Sequence, residues 1–239
     1  MLKVQALKFR LLILVIILII GPNTYFNAQT NAKPASTKKT GASDSAKSIA
    51  ADDFFGTVDK NNYNNKFFKI KITSPADWLV QEREIGDAIK DRGMQAMTGK
   101  SKQVQKSFDE AANRVSVFFT VSRDIMGIPN NAVLIFASEK IVPPLQIRNG
   151  KDYLRINIQT FKQMTLPADL KYSEIIESEQ FGNETLYYLQ ITRALSLQRI
   201  YAFYRNGYAL FFTLQYSSDK DLDELRQIIA TTDFEWKGR

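Results

Sequence analysis

The sequence predicts an α+β fold: an antiparallel β-sheet that closes with a C-terminal four-stranded meander and is flanked by helices on both faces. Three observations carry this. Turn dipeptides, Gly182-Asn183 and Asn206-Gly207, each sit between strand-like runs. Both faces of the last hairpin are partly apolar, so both need cover. Segments of helical period lie before and after the meander and can supply it.

The elements follow in chain order. Phe67 to Ile72 alternates and stops at Ser74-Pro75, which predicts a strand. Glu84 to about Met97 places Ile85, Ala88, Ile89 and Met97 near helical spacing, weakened by Gly93 and Gly99. Lys102 to Arg114 repeats the pattern with Val104, Phe108, Ala111 and Ala112. Val115–Val121 and Val133–Ala137 are β-branched or aromatic runs, hence strands. Asp152 to Met164 puts Leu154, Ile158, Phe161 and Met164 on one helical face and stops before Pro167.

The meander is expected over about 173–180, 185–194, 197–205 and 208–216, with Leu195-Ser196 as its weaker third turn. Asn-Gly is a strong hairpin signal, because a type I′ turn needs φ > 0 at both central residues. That turn fixes the last pairing: Arg205 opposite Tyr208, Phe203 opposite Leu210, Tyr201 opposite Phe212. On the other face Ala202 meets Phe211 and Ile200 meets Thr213. A final helix after Ser217-Ser218-Asp219 presents Leu222, Leu225 and Ile229, and Phe234 and Trp236 return to the core or form a short edge strand.

Tyr63-Asn64-Asn65-Lys66-Phe67, then Ile72 through Pro75 to Trp78, then a helical insertion, and at the end two aromatic strands, a polar cap, a helix and Phe234-Glu235-Trp236 make a recognisable order. It resembles the PsbP-like fold over about residues 57–236. That fold is an α/β/α sandwich shared by extrinsic photosystem proteins, a Ran-binding import factor and many uncharacterised bacterial envelope proteins. The resemblance implies a binding or assembly role without catalytic machinery. None of the matched residues is chemical, and the chain has no histidine to match the metal sites of the photosystem members, so photosystem function is not implied.

The N-terminus bears on location. Lys3, Lys8 and Arg10 precede the apolar run Leu11–Ile20, which ends at Gly21-Pro22. This is the layout of a secretory signal. Ten residues are too few to cross a hydrocarbon core of about 30 Å comfortably, since a spanning helix needs roughly 20. Residues 1–28 are therefore expected to be a signal peptide or an uncleaved N-terminal membrane anchor. Residues 29–53, rich in Ala, Ser, Thr, Lys and Asp, are expected to be a disordered linker, and 54–239 one globular domain. The protein is then exported, periplasmic or extracellular, and is either free or tethered to the inner membrane through its N-terminal segment.

Composition excludes several functions. The formal net charge is +7, but residues 54–239 hold 25 basic and 22 acidic side chains, a net of only +3. A nucleic-acid partner is not expected, because its binder would concentrate charge on the folded part. There is no histidine and no cysteine, which removes Ser-His-Asp and Cys-His catalysis and nearly all zinc and copper sites. Gly93 to Ser101 has five residues between its glycines where a phosphate-binding loop needs four. Asp219, Asp221 and Asp223 imitate the start of a calcium loop, but Glu224 stands where glycine is required, and helix capping accounts for them better. Glu82, Glu84, Asp87 and Asp91 interleave with Arg83, Lys90 and Arg92, as on a solvated helix face. Asn183-Glu184-Thr185 matches a glycosylation sequon, and no glycan is expected on it. No catalytic residue, metal or cofactor is therefore expected.

What remains is the tyrosine- and arginine-rich hairpin, types that dominate binding hot spots. The candidate binding residues are Arg199, Tyr201, Tyr204 and Arg205, and core packing is the competing role for their rings. The expected function is a non-enzymatic, PsbP-like docking or assembly module whose partner is an envelope protein. Arg199→Glu or Tyr204→Ala should then release that partner without unfolding the domain. The alternative is a carrier of a small apolar or anionic ligand held between sheet and helices. A histidine-free hydrolase working through Asp, Glu or Tyr is a third reading.

Overall fold

The computed structural model describes residues 51–88, 113–163, 166, 168–193 and 196–235. Within them a large antiparallel sheet separates two apolar clusters. Helix α1 (Ala51–Phe55) leads into a small sheet of β1 (Thr57–Asp59), β2 (Asn62–Asn65) and β3 (Ile70–Thr73). The large sheet comprises β4 (Leu79–Val80), β5 (Val115–Ser122), β6 (Val133–Lys140), β7 (Lys171–Tyr172), β8 (Glu177–Phe181), β9 (Glu184–Arg193), β10 (Ser196–Arg205) and β11 (Tyr208–Tyr216). Its order is β4-β5-β6-β11-β10-β9-β7, with β8 also paired to β9. Helices α2 (Gly150–Phe161) and α3 (Asp219–Ala230) lie on opposite faces.

The meander forms in the expected register. Asn206 and Gly207 have φ of 53° and 84°, as a type I′ turn requires. Arg205 then pairs with Tyr208, Tyr201 with Phe212 and Ile200 with Thr213. The first meander strand is shorter than expected. Only Glu177–Phe181 pairs continuously with β9, while Lys171–Tyr172 pairs separately farther along. Between them Ser173 folds back on itself, its hydroxyl accepting from the Ile175 N–H at 3.0 Å.

Period-two alternation divides the strand residues between the faces. Ala202, Phe211, Ile135 and Ile200 meet Tyr153, Leu154, Ile158 and Phe161 of α2. On the other side Tyr201, Phe203, Leu210, Phe212 and Phe136 meet Leu225, Ile228 and Ile229 of α3 together with Tyr63, Phe68, Ile70 and Ile72 of the small sheet. This second face is thus closed by a helix and a three-stranded sheet side by side.

Each helix begins at a defined cap. The Asn149 side chain accepts from the Asp152 N–H at 2.9 Å and starts α2. Ser218 and Asp221 form a capping box at α3, so the aspartates after Ser217 serve the helix end. The helix expected over Asp152–Met164 runs from Gly150 to Phe161, and Met164 lies outside the described residues.

The strand expected at Phe67 begins only at Ile70. Asn65 explains the difference. Its side-chain oxygen accepts from the Phe68 N–H at 2.8 Å, and Lys69 is left-handed at φ 54°, so Phe67 and Phe68 lie in a turn. Residues 83–88 are helical, as expected of a helix from Glu84, but 89–97 lie outside the described residues. Of the segment Lys102–Arg114, Arg114 stands in a turn before β5 and 102–112 are not described. Phe234 is buried and Asp233 bridges to Lys71, with Lys71 N–H to Asp233 carbonyl at 2.9 Å, while Trp236 is outside the described residues.

Candidate functional site

The four residues singled out in the sequence do not form one site. Side chains alternate along β10, so Arg199, Tyr201 and Arg205 share the α3 face and Tyr204 points to the α2 face, where it packs against the α2 cluster. Grouping Tyr204 with the arginines is therefore corrected by strand geometry. Tyr201 has no exposed surface.

Arg205 is committed to the fold. Its Nη1 donates to the Phe68 carbonyl at 2.8 Å and the Phe234 carbonyl at 2.6 Å, and its Nη2 lies 2.6 Å from Glu184 Oε2. It clamps the turn before β3 and the segment after α3 onto the meander.

Arg199 is different. It is partly exposed on the α3 face of β10. Its Nε donates to Gln190 Oε1 at 3.3 Å and its Nη1 to the Tyr201 hydroxyl at 3.1 Å. The guanidinium carbon lies 4.4 Å from the centre of the Tyr188 ring, a cation–π contact. Gln190 Oε1 also accepts from the Tyr216 hydroxyl at 2.9 Å, which fixes the amide.

Around it runs a charged border. The Tyr201 hydroxyl donates to Glu179 Oε2 at 2.6 Å, and Glu179 also pairs with Arg226 of α3, which reaches Asp223 at 3.2 Å. The Tyr188 hydroxyl donates to Glu177 Oε2 at 2.9 Å. Burial pushes the Glu179 carboxyl up, but hydrogen bonds from Arg226 and Tyr201 outweigh it and hold the group below its ordinary value. Burial, then donation to Glu179, raises the Tyr201 phenol well above the ordinary tyrosine range.

Arg193, Arg226, Arg205 and Arg123 each hold a carboxylate: Asp169, Glu179, Glu184 and Asp221. Arg199, by contrast, is held among the described residues by an amide, a phenol and rings, with no carboxylate of those residues at ion-pair distance, although its charge helps to lower the Glu179 carboxyl. Sequence reasoning found Arg199 through its residue type and face. It missed Gln190, and it counted Tyr188 among the tyrosines of the hairpin without setting it beside Arg199; register places both, since Gln190 pairs with Arg199 and Tyr188 with Tyr201 across β9 and β10.

Two other places lie apart from this corner. Glu139 is fully buried, accepts from the Tyr153 hydroxyl at 3.1 Å, and has Arg114 Nε at 3.9 Å. Burial pushes its carboxyl up to about 8. With no exposed surface it cannot meet a substrate. A groove of about 520 Å³ beside α3 is lined by Pro75, Trp78, Arg123, Gln227 and Ile228 among others, and Arg123 there is already paired with Asp221 at 2.6 Å. Among the described residues no cluster of His, Cys, Asp and Glu could hold a metal ion, and no helix is long and apolar enough to cross a membrane.

No protein-family model matches the chain, and no curated protein matches it. Comparison with solved structures finds similarity to the solution structure of cyanobacterial PsbP (CyanoP) from Synechocystis sp. PCC 6803. The identity is 12%, the TM-score 0.37, and the match covers 71% of this chain and 86% of that one.

Proposed function

We propose that this chain is an exported, non-enzymatic docking module of the cell envelope, which engages a protein partner through the sheet corner at Arg199. The observation that carries the reading is a positioned arginine that no carboxylate of the described residues pairs with. Arg199 is partly exposed and held by Gln190, Tyr188 and Tyr201. Arginine and tyrosine in a half-buried setting are the types that carry interface energy. Export rests on the basic, apolar and breaker segments of residues 3–22, and the non-enzymatic reading on the lack of histidine and cysteine.

The test is site-directed photo-cross-linking in cells with the full chain. A photoreactive residue replaces Thr192, which is exposed in the row next to Arg199. A second chain carries it at Gln159, exposed on α2. A discrete protein adduct at 192 and none at 159 is expected. Equal labelling at both positions, or no adduct at 192, overturns the reading.

A carrier function has one observation in its favour. Gln198, Thr213 and Gln215 on the α2 face, and Asn157 of α2, have buried polar atoms without a hydrogen-bond partner among the described residues. Such atoms cost roughly 1–3 kcal/mol each and are commonly met by water or ligand. All four are uncharged, which does not suit an anion. Retention of a small molecule in a native mass spectrum of the purified chain would favour this reading, and a bare mass would remove its support.

A further inference from the structure

We infer that the Arg199 corner is a receptor for a single carboxylate, an Asp or Glu side chain or a C-terminus presented by the protein partner. This inference rests on the docking reading and adds the chemistry of the contact. A guanidinium has five N–H donors. In Arg199 one Nε–H and one Nη1–H are taken, by Gln190 and Tyr201, which leaves three for a ligand. The planar fork matches a carboxylate with two parallel hydrogen bonds.

The fork is held before any ligand arrives. Gln190 is fixed by Tyr216, Tyr201 by Glu179, and the Tyr188 ring by its hydroxyl bond to Glu177. Binding therefore orders little that was loose, and less affinity is lost to immobilising side chains. The neutral partners matter too. An internal carboxylate would neutralise the cation and occupy its donors, as Glu184 does for Arg205 and Asp169 for Arg193.

The border sets the number of charges the corner accepts. Glu177 and Glu179 stand close on β8, and Glu179 is held by Arg226, whose other partner is Asp223. The cations Arg199 and Arg226 face three carboxylates. A polyanion such as nucleic acid or an anionic lipid surface would be repelled by that border. Arg199 acts on Glu179 only at a distance, and among the described residues no acid occupies its fork, so one carboxylate can sit there.

The test uses the full chain and defined peptides. Acetyl-Gly-Glu-Gly-amide, its Gln counterpart and inorganic phosphate are titrated by NMR, following the Arg199 Nε–H and the Gln190 side-chain amide. The expected result is saturation by the Glu peptide in the millimolar range, binding of the Gln peptide at least about fivefold weaker, and loss of the response in Arg199→Gln. Arg199→Lys keeps the charge without the fork and should bind several-fold more weakly. A thermal melt of both variants reports on folding, and if Arg199→Gln is unfolded, Arg199→Lys and the wild-type peptide pair decide.

An equal response to Glu and Gln peptides, shifts that map away from the corner, or tighter binding of phosphate would each overturn the inference. The cross-linking at Thr192 separates it from the docking reading. An adduct that forms and survives Arg199→Gln keeps docking and removes the carboxylate. Glu selectivity without any adduct at 192 removes the protein partner, and with it the inference in its present form.

Discussion

Single side chains settle which arginine binds and which one builds. Arg205 and Arg199 sit six residues apart on one strand face, yet only Arg205 closes backbone carbonyls from two distant segments. Arg205→Leu leaves the Phe68 and Phe234 carbonyls and Glu184 unpaired, and should lower unfolding stability by about 2–3 kcal/mol, readable in a denaturant titration. Arg199→Gln removes a cation–π contact and two hydrogen bonds whose acceptors keep other partners, and should cost about 1 kcal/mol in the same titration. Tyr204→Ala should cost stability through lost packing under α2, and should leave an adduct at Thr192 unchanged.

Titration at two buried acids gives stability a predictable pH profile. The Glu139 carboxyl is raised by burial to about 8, against an ordinary value near 4.5, so the folded chain holds that proton more tightly than the unfolded one. Its contribution is complete below the ordinary carboxylate range and is lost as the pH rises through about 8. Asp221 has the opposite sign. Burial raises it, but Arg123, Ser217 and Ser218 outweigh that and lower it to about 2, so its contribution is lost as the pH falls from about 4 to 2. Tm should be highest in the mildly acidic range and fall by on the order of 5–10 °C by pH 9. Glu139→Gln should flatten the alkaline limb, and an unchanged limb in that variant would remove Glu139 as its cause.

At the scale of elements, helix placement depends on close contacts that the sequence records only indirectly. An added Cβ on Gly150 would lie 1.9 Å from the Ala202 carbonyl oxygen, so the first turn of α2 sits directly on β10. Gly150→Ala must lift the helix and should cost about 1–3 kcal/mol, as overpacking does, with the loss seen first in hydrogen exchange of α2. Ser218→Ala removes the capping box of α3 and should cost about 1 kcal/mol.

The meander was legible because Asn206-Gly207 fixes a register locally, and the cap of α3 because its signal is local as well. The small sheet was not. Its turn depends on Asn65, whose Nδ2 donates to the Tyr63 hydroxyl and the Phe54 carbonyl, both at 2.8 Å, while its oxygen accepts from Phe68. That network joins α1, β2 and the turn before β3, and periodicity in Phe67–Ile72 reads as a longer strand without it. The site was half legible for the same reason. Residue type pointed to Arg199, whereas its supports come from β9 and β11, and the loss of Tyr204 from the group follows only once face alternation is applied to all four candidates.

For the whole molecule, the architecture explains why a corner of the sheet remains for a partner. One face is closed by α2, and the other by α3 and the small sheet together. On that second face the neighbourhood of Arg199, Gln190 and Thr192 keeps exposed surface at the end of the meander away from the Asn206-Gly207 turn. The most direct measurement of the central claim is cross-linking from Thr192 in cells, compared between the wild-type chain and Arg199→Gln. The account predicts one discrete protein adduct that is lost in the variant. No adduct from the wild-type chain, or the same adduct at the same yield in Arg199→Gln, would contradict it.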